Sequence, residues 1–72
     1  MKLDFEIADD GPVILFTPLT ERAYQWVEAH IPEDRQWFGR ALMVERAFAP
    51  VLVNGMVGEG MLFGALSEDY KQ

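Results

Sequence analysis

From Ala47 to Leu66 the chain carries one charged side chain, Glu59, in twenty positions. No other feature constrains the fold as much. An uncharged apolar run has to lie in the chain's own core, under a partner, or in a bilayer. Pro50, Asn54, Glu59 and four glycines interrupt the run, and nowhere does the chain hold the roughly 20 consecutive apolar residues of a spanning helix. That leaves core and interface. The chain has 72 residues, half of them apolar, and a domain of this size hides only about 60% of the surface its unfolded form exposes. There is no cysteine, so neither disulfides nor thiolate zinc sites can support the fold. Apolar packing has to do so, and more apolar side chain is on offer than one small domain easily covers.

Upstream, Leu3, Phe5 and Ile7 alternate with Lys2, Asp4 and Glu6, the period of a strand with one buried and one wet face. Asp9-Asp10-Gly11-Pro12 reads as a turn. Val13-Ile14-Leu15-Phe16 is apolar on both faces, as suits a sheet interior, and completes a β-hairpin. Thr17-Pro18 has the form of a helix start. Leu19, Ala23, Trp26, Val27 and Ile31 then recur at helical spacing. Pro32 disfavours helical geometry at Ile31, so this helix is expected to stop near His30.

Residues 33–46 read in two ways. Pro32-Glu33-Asp34 suits a helix start, with Trp37, Ala41, Val44 and Phe48 at helical spacing. A strand from Phe38 or Gly39 to Glu45 fits as well, and Gly39 weakens both. From about Phe48 a helix of some ten residues is expected, with Pro50 in its first turn and Gly58-Glu59-Gly60 as its stop. Met61-Leu62-Phe63 suits a short fourth strand. Ser67 to Gln72 reads as a polar, frayed tail. The fold class expected is therefore α+β: one domain over residues 1–66, with an N-terminal hairpin, then helix, strand and helix.

The charge balance is 12 acidic to 6 basic groups, a net −6. Nucleic-acid affinity rests on clustered lysine and arginine, so six scattered cations under a negative field argue against nucleic acid and anionic membranes alike. Met1-Lys2-Leu3-Asp4 lacks the order of a signal peptide, and the cytoplasm is the expected compartment.

Leu15-Phe16-Thr17-Pro18, Trp26-Val27, Pro32-Glu33-Asp34, Trp37-Phe38-Gly39, Val44-Glu45 and Gly55-Met56 with Gly60 give residues 13–61 a further meaning. In these the chain resembles a group of short, uncharacterised bacterial and phage-associated proteins. The resemblance implies a β-rich segment after Trp37-Phe38-Gly39, favouring a strand over 39–45. Leu42-Met43 depart from the paired valines of that group. The group has no established activity, so the resemblance implies no functional residue.

Chemistry-bearing residues are few. His30 is the only histidine, close in sequence to Glu28, Glu33 and Asp34; an imidazole there also suits the negative end of a helix dipole. Ser67 is the only serine and falls in the tail, while Thr17 and Thr20 serve a helix start. Gly55-Met56-Val57-Gly58-Glu59-Gly60 closes a helix instead of opening one, so it is not a phosphate cradle. No catalytic residue, cofactor or metal site is expected. Three surfaces are. Met56, Met61, Leu62 and Phe63 form a candidate self-association patch, consistent with a homodimer. Arg35, Trp37 and Arg40 are candidates for partner binding, since tryptophan and arginine are enriched at hot spots. Asp4, Glu6, Asp9 and Asp10 form a candidate acidic face. The leading expectation is a non-catalytic, homo-oligomeric interaction module. An acidic inhibitor of a basic host protein comes second, and a small metal-dependent enzyme using His30 a distant third.

Overall fold

In the computed structural model, residues 2–65 are described. Met1 and residues 66–72, and with them the tail expected from Ser67 to Gln72, lie outside the described residues. The order of elements is β1 (Phe5–Asp10), β2 (Val13–Pro18), α1 (Glu21–His30), β3 (Gln36–Phe38), β4 (Ala41–Glu45), a single 3-10 turn (Arg46–Phe48), α2 (Ala49–Gly58) and β5 (Phe63–Ala65). The strands make one mixed sheet in the order β3-β4-β2-β1-β5. This is a small α+β domain: hairpin, helix, strands, helix and a short last strand.

β2, apolar on both faces, lies at the centre of the sheet, paired antiparallel to β1 on one side and β4 on the other. β5 adds to the outer edge of β1 in parallel. The β1–β2 turn is tighter than expected. Asp9 and Asp10 belong to the strand, and Gly11-Pro12 alone reverse the chain, with Gly11 at φ +75°.

Three further expectations need correction. Thr17-Pro18 do not start the helix. They finish β2, where Pro18 sits opposite Phe5 and Thr17 opposite Glu6. The chain turns only after Leu19, and Thr20 is the cap, its hydroxyl accepting from the Ala23 amide at 3.2 Å. The segment 33–46 is not a helix: the strand reading holds as β4, which starts at Ala41 instead of Phe38 or Gly39 and keeps Leu42 and Val44 on one face. Gly39 at φ +60° makes a tight turn, and β3 folds back antiparallel onto β4. The alternation that begins at Leu3 also breaks, because β1 starts at Phe5 and Asp4 is buried.

Residues opposite each other in antiparallel strands share a face. Register therefore places Ile7, Phe16 and Leu42 on one side of the sheet, with Ile14 and Val44. Both helices pack on that side. Ala23, Trp26 and Val27 of α1 and Ala49 and Met56 of α2 join Phe5, Phe16, Leu42 and Val44 in one core. The Phe5 and Trp26 rings meet edge to face at 6.5 Å, the arrangement their quadrupoles favour. Among the described residues, no helix lies over the opposite face of the sheet, and the described elements form two layers, sheet and helices.

Candidate interaction surface

α2 takes its form from the uncharged run. Pro50 is accommodated in its first turn, where a missing N–H costs nothing. Its end is a Schellman motif. Gly60, at φ +77°, donates to the Val57 carbonyl at 2.9 Å, and the Met61 amide donates back to Met56 at 3.0 Å. The stop expected from the glycines is thus made by Gly60, and Met56 and Met61, bracketing it, both enter the core.

A ten-residue helix on a sheet buries one stripe. In α2 the buried positions are Ala49 and Met56, with Leu52 and Val53 partly covered. Apolar residues occupy most of the other positions too, so they face water: Val51 is 67% exposed, Val57 57%, and Phe48 just before the helix 60%. Hollows flank α2 on both sides. Towards β1 and β2 lies a groove of about 420 Å³ walled by Ile7, Ile14, Pro50 and Val53. Towards the end of α1 lies a cleft of about 590 Å³ floored by Leu42, Val44 and Leu52, with Phe48 and Val51 on its wall. His30, Asp34, Arg35 and Glu45 supply its polar rim.

The expected self-association patch divides. Met56 and Met61 are buried inside the chain's own core and are unavailable to a second copy, whereas Leu62 is exposed and Phe63 half-buried. The residues that sequence reasoning missed are Phe48, Val51 and Val57. The signal lay in the helix length, since ten apolar-rich residues cannot all reach one core.

The partner-binding set does not converge either. The Arg35 side chain is largely buried, donating through Nη1 to the Ile31 and Pro32 carbonyls and pairing with Glu28 at 2.6 Å. It closes the C-terminal end of α1 and is not offered to a partner. Trp37 stacks on Tyr24 at 6.3 Å, and Arg40 is exposed in the β3–β4 turn. Trp37 and Phe38 point to opposite faces of the sheet, and Phe38, on the open face, is 67% exposed.

The acidic set separates. Asp4 is only 2% exposed. Arg22 grips it with two bonds, from Nε at 2.9 Å and Nη2 at 2.6 Å, while the Thr20 hydroxyl at 2.6 Å and the Leu62 amide at 3.0 Å complete its shell. These bonds, the Arg22 guanidinium foremost, hold the Asp4 carboxyl well below the usual carboxylate range despite burial. Asp4 therefore clamps the start of β1 to the start of α1 and to the approach of β5, and is not part of any acidic surface. Asp9 pairs with Arg46 at the end of the hairpin. Glu6 and Asp10 point to the open face.

His30 stacks on Trp26 at 4.5 Å and its Nδ1 lies 2.9 Å from the Trp26 carbonyl. A carbonyl only accepts, so Nδ1–H donates, and the ring is fixed against its own helix. Among the described residues, no three His, Cys, Asp or Glu side chains gather as a metal site would require, and no helix is long and apolar enough to cross a membrane. Comparison with known family models, characterised proteins and solved structures gives no match.

Proposed function

We propose that this chain is a non-catalytic interaction module that works as a homodimer, joined through the outer face of α2. The observation that carries this reading is the absence of any charged side chain from Ala47 to Gly58 where Phe48, Val51 and Val57 stand more than half exposed. A surface helix in contact with water normally presents charge on its outer side. A second copy offers the same uncharged face, and a two-fold axis near Asn54 sets that face against itself. Phe48 of each copy then meets the cleft beside α2 of the other, the aromatic-in-pocket arrangement that dominates binding energy.

The acidic-inhibitor reading keeps two of its four carboxylates, Glu6 and Asp10, on a shared face, because Asp4 is internal and Asp9 is turned towards Arg46. Dilution followed by amide NMR tests the module reading. Concentration-dependent shifts confined to Phe48, Val51, Asn54 and Val57 are expected. Shifts centred on β3, or none between ~10 μM and ~1 mM, a span that brackets modest dimer affinities, contradict it.

A further inference from the structure

We propose that the cleft beside the end of α1 is a binding site for a small organic cation with an apolar body. Its dimensions are those of a ligand site. It holds about 590 Å³, over a floor of Leu42, Val44 and Leu52 and beside a wall of Phe48 and Val51. Small-molecule sites run from about 300 to 1,000 Å³ and are mostly apolar, with a few polar groups that fix orientation.

The rim decides the charge of the occupant. Among the described residues, Arg35 is the one lysine or arginine that lines the cleft. Its guanidinium is already engaged, by Glu28 at 2.6 Å and by the Ile31 and Pro32 carbonyls. Asp34 and Glu45 stand exposed at the same rim, and neither carboxylate is paired with a side chain among the described residues. The net charge of −6 over the whole chain adds to the field they set up. An anion in the cleft would meet two unanswered carboxylates. A cation answers both, and its apolar body covers the floor. Phe48, 60% exposed on the wall, offers a cation–π face as well. One consequence rests on the α2 dimer proposed above. There, Phe48 of the second copy enters this same cleft, so cation and second copy exclude each other.

The probe is benzyltrimethylammonium, a phenyl ring joined to a quaternary ammonium. It is titrated to about 10 mM, which covers the weak affinity of so small a ligand, and followed by amide NMR. Phenylacetate, with the same ring and the opposite charge, is the comparison. Both are added to the wild type and to Val57→Glu, whose altered side chain is on the outer face of α2 and does not line the cleft. Saturable shifts at Asp34, Glu45, Phe48 and Leu52 are expected with the cation and none with phenylacetate. Asp34→Asn with Glu45→Gln is expected to weaken binding about fivefold or more, since two ion pairs are lost. Glu21→Gln with Glu59→Gln changes net charge equally and is expected to leave it intact. Equal loss in both double variants, equal binding of phenylacetate, or no binding of the cation to Val57→Glu overturns the proposal. Sedimentation separates the site from the dimer. The wild type is expected to fall in mass as the cation saturates it, and a dimer that binds without dissociating overturns the exclusion. A wild type that is monomeric throughout, yet binds through Asp34 and Glu45, supports the site and contradicts the dimer.

Discussion

Asp4 joins three parts of the chain that are far apart in sequence: β1, the first turn of α1 through Thr20 and Arg22, and the segment before β5 through Leu62. Arg22 also reaches the Gly60 carbonyl at 3.1 Å, so the same ion pair steadies the end of α2. Replacing Asp4 by Asn turns one acceptor into a donor facing buried donors. A loss of about 2–4 kcal/mol is expected in urea unfolding, a large part of a small domain's stability. The pH dependence has a definite sign. The folded carboxyl titrates below its ordinary value of 3.8, so its contribution is complete above that pH and is lost as pH falls below it, where the unfolded chain takes up a proton that the native state refuses. Unfolding midpoints measured from pH 5 down to pH 2 are expected to fall more steeply in the wild type than in Asp4→Asn. Parallel curves contradict the clamp. Nothing near Asp4 in sequence signals this role, because in the alternation it takes the place of an outward residue. Its partners come from 16 to 58 residues away.

At the scale of elements, legibility followed locality. The apolar character of β2, the end of α1 before Pro32 and the glycine stop of α2 each rest on residues adjacent in sequence, and each was readable. The β3–β4 hairpin was not, because Gly39 can weaken a helix, bulge a strand or make a turn, and only pairing with β2 decides which. Thr17-Pro18 misled for a similar reason. The local cap signal is real, but pairing with β1 extends β2 two residues further. Two glycines offer tests. Gly60→Ala puts a Cβ in the left-handed region and is expected to cost about 1–2 kcal/mol, a fall of several degrees in Tm. At Gly55 a Cβ would stand 3.1 Å from Trp26 Cζ2. Gly55→Ala therefore sets a gain in helix propensity against a tight contact, whereas Gly55→Val is expected to lever α2 off α1 and cost about 1–3 kcal/mol. An unchanged Tm in Gly55→Val contradicts the close approach of the two helices.

The described residues form a sheet with two helices on one side, and α2 leaves apolar side chains exposed on its outer face. The surplus of apolar residues was legible as a segment, between Ala47 and Leu66, but its division was not. Met56 and Met61 went inward and Phe48, Val51 and Val57 outward because a short helix on a sheet has one inner stripe. No sequence pattern distinguishes these residues when all of them are apolar. The central claim is that the outward set is an interface between two copies. Sedimentation equilibrium of the wild-type chain and of Val51→Glu tests it most directly, at about 100 μM, well above the affinities of stable interfaces. The expected result is a mass of twice 8.2 kDa for the wild type and of one chain for a folded Val51→Glu. A wild-type monomer at that concentration, or a dimer untouched by the glutamate, contradicts the account.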